Sequence, residues 1–210
     1  MSLPDILQTY IRDTWEIGRV EAFEQFVAVA MEAEKPGLII SSSMKFPVTR
    51  RTKKQSSEEF QTHGYEVDLV GANSERLVLA TVKSFFGSQG VLAKDVFGEG
   101  RGAGLYRLLN DPVIRDGVIA VACDRFGYRS EQVFLRFYVG KFSGKSEPAV
   151  RSWCATQSLA SGPIEVYSVT QVVDAVLPRA AHSGYVDNAS IVALKVLEAA
   201  GKLTLPKTSK

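Results

Sequence analysis

"GYEVDLVGANSERLVLATVKSFFG", residues 64–87, holds two strand-like runs around a polar turn, with acids on the first run and a lysine deep in the second. Side chains along a strand alternate between faces, so residues two apart share a side. Glu66 and Asp68 are therefore expected to point the same way. In the second run Leu77, Leu79, Thr81 and Lys83 form one set, and Val78, Ala80 and Val82 the other. Asn73-Ser74-Glu75 supplies turn chemistry between them, which predicts an antiparallel hairpin. With Lys83 on the face of Glu66 and Asp68, three charged groups would converge near one end of that hairpin.

Outward from the hairpin, apolar positions Val20, Phe23, Val27, Ala30 and Met31 recur at helical spacing, and Pro36-Gly37 ends the pattern. Glu24 lies about 40° from Val20 around that helix, at the margin of the apolar stripe. "GLIISSS" reads as a short strand and "KFPVTRRTKKQSSEEFQTHG" as a polar connection. After the hairpin comes the glycine-rich "GVLAKDVFGEGRGAG", then "AGLYRLLND" as a helix stopped by Pro112. "DGVIAVACD" has the continuous apolar character of a strand buried on both faces, "QVFLRFYVGKF" reads as another strand and "PIEVYSV" as a short one. "TQVVDAVLPRAA" and "DNASIVALKVLEAAGKL" are helical, the latter capped by Asn188 or Ser190 and stopped at Gly201; "TLPKTSK" reads as a frayed tail.

This order describes an α/β protein with a mixed central sheet flanked by helices. Residues 1–168 form the α/β domain, and 169–210 a C-terminal helical extension, either separate or part of the same domain. The 210 residues with 45 % hydrophobic content suffice for a substantial core.

The net charge of +2 does not by itself announce a nucleic-acid binder, so the local distribution decides. Lys45, Arg50, Arg51, Lys53 and Lys54 fall within ten residues just ahead of the hairpin, and such a run can neutralise phosphates along a DNA backbone or serve solubility alone. Cys123 and Cys154 have no zinc-motif spacing, and reduced thiols in a cytoplasm are expected. Charged residues interrupt the amino-terminal apolar stretch, and no apolar run reaches membrane-spanning length.

Several chemistries fail on spacing. "GKFSGKS" has its first glycine one residue too close for a phosphate loop, and "GEGRGAG" lacks the dinucleotide register. His63 and His182 are the only histidines, too few for a multi-histidine metal hydrolase. No G-x-S-x-G elbow supports a serine hydrolase.

A helix, strands carrying an Asp, an apolar strand ending in x-x-Lys, then helix and strand: this order resembles the PD-(D/E)xK nuclease superfamily, the restriction-endonuclease-like fold. "EVDLV" with "LVLATVKSF" looks like the "EIDLI" and "VEVKS" style of bacterial members, and the resemblance covers roughly residues 20–140. It implies a magnesium-dependent nuclease acting on DNA phosphodiesters, with manganese as an alternative ion. In the family, the strand Asp and the acid two residues before the Lys hold the metal, and the Lys orients the attacking water. The matching positions are Asp68, Thr81 and Lys83.

Thr81 departs from the family, since a hydroxyl offers no charge to a hard divalent cation. Glu66 on the strand, or Glu24 from the preceding helix, would then supply the second carboxylate. On this reading Asp68, Lys83 and Glu66 are catalytic, Asp68, Glu66 and Glu24 hold metal, and Arg50, Arg51, Lys53, Lys54 and Arg101 contact DNA. Arg101 and Arg107 with the glycines around them suit either a phosphate approach at the start of a helix or a plain turn. A cross-strand ion pair is the structural alternative for Asp68 and Lys83. The threonine also leaves open a catalytically inactive relative that binds DNA or a protein, and the C-terminal helices leave a homodimer open.

Overall fold

The computed structural model describes residues 22–52, 59–182, 184 and 187–206. Helix α1 (Ala22–Glu32) buries Phe23, Val27, Ala30 and Met31, the stripe expected from the sequence; Val20 lies outside the described residues. Strands β1 (Ile39–Thr52), β2 (Glu59–Ala72) and β3 (Leu77–Lys83) follow as an antiparallel meander. The β2–β3 hairpin pairs Leu69 with Ala80 and Ala72 with Leu77. Its turn is set by Asn73, whose Oδ1 accepts from the amides of Glu75 (2.9 Å) and Arg76 (3.1 Å), so the side chain replaces a backbone turn partner.

β1 and β2 each run for 14 residues and pair from Ile39–Ala72 to Thr52–Glu59. Only residues 69–72 of β2 also pair with β3. The remainder leaves the sheet as a two-stranded ribbon. The stretch "KFPVTRRT", expected as a connection, is therefore strand; Lys53 and Lys54 lie outside the described residues.

A second correction concerns residues 112–126. Helices α2 (Ala93–Val96) and α3 (Arg107–Asn110), with a 3-10 turn at Ala103–Tyr106 between them, lead into α4 (Pro112–Phe126). "DGVIAVACD" is thus helix, and Pro112 starts it. Asp111 caps it by accepting from the amides of Val113 (3.1 Å) and Ile114 (3.3 Å), and proline at the first helical position gives up no needed donor. Ile114, Val118 and Ala122 recur every four residues on the buried side. Gly117 lets the helix meet β1 closely, since a Cβ there would sit 2.5 Å from Val48 Cγ1.

Strand β4 (Val133–Val139) then runs parallel to β3, from the pair Leu77–Val133 to Lys83–Val139. Helix α5 (Ser146–Thr156), unassigned from the sequence, leads to β5 (Glu165–Ser168), parallel to β4. Helices α6 (Val169–Ala181) and α7 (Ala189–Ala199, capped by Asn188) follow. Among the described residues the mixed sheet has five strands in the order β1-β2-β3-β4-β5.

Two hydrophobic clusters cover its two faces, which makes the architecture three layers. One joins Phe46, Leu79 and Phe137 to Leu109, Ile114, Val118 and Val150 of α3, α4 and α5. The other joins Leu69, Val78 and Ala80 to α1 (Val27, Met31), α6 (Val172, Val176) and α7 (Ile191). Leu205 is buried in that second cluster, so the segment expected to fray is anchored as far as it is described. No described helix is long and apolar enough to cross a membrane.

The strict alternation expected along β2 breaks at Asp68. Val67 and Val70 both enter the first cluster while Leu69 enters the second. The register pairs Ser42 with Leu69 and Met44 with Val67, which sets Ser43 across from Asp68, and Ser43 has φ +53°. That left-handed conformation turns the ribbon away from the sheet at this residue.

Candidate active site

Asp68 sits where β2 parts from β3. Its Oδ2 accepts hydrogen bonds from Thr81 Oγ1 (3.0 Å) and the Val82 amide (2.6 Å), and Lys83 Nζ lies 3.5 Å from the same oxygen. Register explains the meeting: Leu69 pairs with Ala80, so the residue before the one faces the residue after the other. Asp68, Thr81 and Lys83 thus converge on the side of the sheet where Leu79 is buried. Both charged side chains are partly exposed.

Two clefts open on this pair. One of about 540 Å3 is lined by Asp68 and Lys83 together with Glu24 of α1 and Phe85 and Phe86 beyond β3. The other, about 240 Å3, is lined by Asp68, Thr81 and Lys83 with Glu66, Arg107 and Leu105. Glu24 is half-buried; Glu66 is exposed and pairs in register with Lys45. Each extra carboxylate therefore reaches a cleft shared with Asp68, one from each side. Among the described residues no three His, Cys, Asp or Glu side chains gather closely enough to hold a metal ion by themselves.

Backbone conformation marks the same place. Among the described residues the non-glycine positions with positive φ are Ser43 (+53°) and Phe85 (+49°). Ser43 faces Asp68 and Phe85 follows Lys83 by two residues. Such conformations cost of order 1–3 kcal/mol and persist where surrounding structure enforces them, often at functional sites.

The basic residues distribute unevenly. Arg50 pairs with Gln61 and Arg51 with Phe60 on the ribbon, so as strand neighbours the two arginines point to opposite faces. Arg101 is exposed and lines neither cleft, whereas Arg107 lines the smaller one. The glycines around Arg101 have a structural partner in Asp95. The Gly102 amide donates to Asp95 Oδ1 (3.1 Å), and a Cβ at Gly100 or Gly102 would collide with that carboxylate. Asn110 Nδ2 closes the loop by donating to the carbonyls of Asp95 (3.2 Å) and Ala103 (3.1 Å).

On the opposite face lies a polar network that the sequence reading missed. Arg136, 3 % exposed in the middle of β4, donates from Nε to Glu165 Oε2 (2.7 Å) and from Nη1 to Glu34 and to the Tyr138 hydroxyl (3.2 Å). Arg76 Nη2 reaches the same Glu34 at 2.6 Å, and the Arg136 guanidinium lies 5.2 Å over the Tyr167 ring. Burial works against the Arg136 charge, but Tyr138 and Glu34 overcome it and hold its pKa above the ordinary value. Burial also pushes the Tyr138 and Tyr167 hydroxyls up, which keeps both neutral, Tyr138 accepting from Arg136 and Tyr167 donating to Glu165. The available signal was a lone arginine inside "VFLRFYV", because a charge within a buried strand requires partners.

No family model, curated protein or solved structure matches the chain. What fold and site define is a class: a three-layer α/β protein with a carboxylate–ammonium pair placed where a hairpin leaves its sheet. The chemistry of that pair must be argued from its own residues.

Proposed function

We propose that this chain is a magnesium-dependent nuclease of the restriction-endonuclease-like fold that hydrolyses DNA phosphodiesters. The observation that carries the proposal is the 3.5 Å approach of Lys83 to Asp68 in a cleft that also admits Glu24. A helix, an antiparallel meander of three strands, a helical crossover and a parallel fourth strand support it, being the element order the resemblance implies.

The donor set suits magnesium, which keeps several waters and commonly takes one or two protein carboxylates, with substrate phosphate completing its shell. Asp68 would hold it through Oδ1, the oxygen outside the three contacts made by Oδ2, together with Glu24 from the larger cleft or Glu66 from the smaller. A bound ion would lower the pKa of attacking water and offset charge growing on the phosphate. Thr81 and the Val82 amide fix the carboxylate's orientation through Oδ2. Lys83, on the same oxygen, directs its ammonium to the attacking water or to a phosphate oxygen beside it. The reading places the protein in the cytoplasm with its two cysteines unpaired.

Incubation of supercoiled plasmid with the protein and magnesium tests this. Nicking is expected, with loss on chelation and in Asp68→Ala and Lys83→Ala; cleavage that survives both substitutions overturns the assignment. Glu24→Gln and Glu66→Gln identify the second carboxylate as the one whose loss raises the magnesium needed for half-maximal cleavage.

Thr81 favours a second reading, a catalytically inactive relative that binds DNA or a protein. Its hydroxyl already satisfies Asp68, and the described residues hold no three-ligand cluster. Salt-sensitive DNA binding without any cleavage would select this reading.

A further inference from the structure

We infer that Phe86 is a stacking platform for an unpaired base, so that the site takes single-stranded or locally unpaired DNA; the inference rests on the nucleic-acid reading of the Asp68–Lys83 cleft. Phe86 is 55 % exposed and lines the larger cleft with Asp68 and Lys83. What matters is the ring's place: it is exposed inside a cleft that also holds charged groups, where a planar ligand can reach it.

The ring is held in place. It meets Phe23 edge-on at 5.4 Å with an interplanar angle of 82°, and its Cζ lies 2.7 Å from where a Cβ on Gly140 would stand, so the residue beneath it has to be glycine. The segment carrying it is tied at both ends. The Gly140 amide donates to the Lys83 carbonyl (2.8 Å), Lys141 Nζ to the Ser88 carbonyl (2.7 Å), and the Ser88 amide to the Phe85 carbonyl (3.1 Å). Phe85, at φ +49°, aims the turn. Little ordering entropy then remains to be lost when a planar ligand arrives.

The cleft's size and chemistry indicate that ligand. About 540 Å3 accommodates a nucleotide, an ammonium in its lining suits a phosphate, and a rigid π surface in the same lining suits a base. Within a duplex the base faces are covered by their neighbours, so only an unstacked base can lie on Phe86. The surroundings do not favour an apolar side chain from a protein partner, since Asp68, Lys83 and Glu24 share the cleft.

The test is equilibrium binding of an end-labelled single-stranded oligonucleotide, and of its duplex, to the full chain by fluorescence anisotropy with calcium as the cation. The single strand is expected to bind more tightly than the duplex. Phe86→Leu, which keeps apolar contact with Phe23 but removes the π face, should weaken single-strand binding by about fivefold to a hundredfold and leave duplex binding unchanged. Phe86→Trp should preserve single-strand affinity, and its added indole fluorescence should be quenched by single strand and not by duplex, a readout independent of how well the leucine variant folds. Equal single-strand affinity for wild type and Phe86→Leu, or parallel loss for both DNA forms, overturns the inference. Plasmid cleavage separates it from the nuclease proposal. Cleavage alongside Phe86-independent single-strand binding sinks the stacking platform alone; Phe86-dependent binding with no cleavage under magnesium sinks the nuclease alone.

Discussion

Thr81 Oγ1 donates a 3.0 Å hydrogen bond to Asp68 Oδ2, so the position at which the resembled family carries an acid here holds the aspartate of the neighbouring strand in place. Thr81 is 7 % exposed, and a second carboxylate introduced there would face Asp68 out of contact with most water. Like charges this close resist joint ionisation unless a cation joins them. Thr81→Asp is therefore expected to melt at a lower temperature than wild type in chelator and to gain more from manganese than wild type does. Thr81→Val, which deletes only the hydroxyl, should cost about 0.5–1.5 kcal/mol without altering the manganese response. Thermal melts with and without manganese check both, and equal manganese shifts in Thr81→Asp and wild type would refute the metal-binding geometry.

Arg136 ties three elements together, through Glu34 after α1, Glu165 on β5 and Tyr138 on its own strand. Removing one partner of a buried ionic network leaves the others uncompensated, typically at a cost of about 3–5 kcal/mol. Arg136→Met should show a loss of that order in urea unfolding, partly recovered when Glu34→Gln and Glu165→Gln are added. An additive, unrecovered set of losses would mean that the three side chains do not act as a unit. Plasmid cleavage by the folded fraction should be unaffected, since the network lies on the sheet face opposite Asp68.

The hairpin was legible because two independent local signals agreed. Alternation placed Thr81 with Lys83, and Asn73 closed the turn by its own side chain. Helix α4 was misread because residues 118–122 are continuously apolar, and such a run does not distinguish strand from helix. The deciding evidence lay six residues earlier, in Asp111 as cap and Pro112 as first helical residue, a pair that starts a helix as readily as it ends one. The ribbon was missed for another reason. Past Asp68 it has, among the described residues, no third strand to bury its outer face, so its composition is that of a loop although its hydrogen bonds are those of a sheet. Glu24 reached the cleft as the helical angle suggested, whereas the break in alternation at Asp68 depends on Ser43, which no periodicity reveals.

Burial fixes how the thiols and one phenol respond to alkali. Cys154 is fully buried and burial pushes its thiol up to about 12; Tyr106, buried beside Asp95, is likewise pushed up to about 12. A raised folded-state pKa favours the protonated native form, so this contribution is intact below the unfolded values of 9 and 10 and is lost as pH climbs toward 12. Stability in urea should accordingly decline from pH 9 upward. At pH 8 a thiol reagent should label Cys123, which is only half-buried, well before Cys154, with both reacting after denaturation. Labelling of both at one rate in the native protein would contradict the packing of α5 against the sheet.

The ribbon's two arginines lie one residue apart, and their consequences for DNA should differ. Arg50 is half-buried and pairs with Gln61 on the face continuous with Phe46 and Val48, which pack toward α4. Arg51 is on the other face, exposed beside Phe60, itself 66 % exposed. Of these two arginines, the one that a DNA strand following the outer face meets is Arg51. Each phosphate contact contributes about 0.7–0.9 to the slope of log K against log salt concentration. Arg51→Gln should therefore flatten that slope by roughly this amount, Arg50→Gln should leave it nearly unchanged, and the double variant should match Arg51→Gln. Binding measured across a salt series decides. Equal flattening by the two single substitutions would place DNA across the ribbon's edge, and no change in any variant would remove the ribbon from the DNA interface.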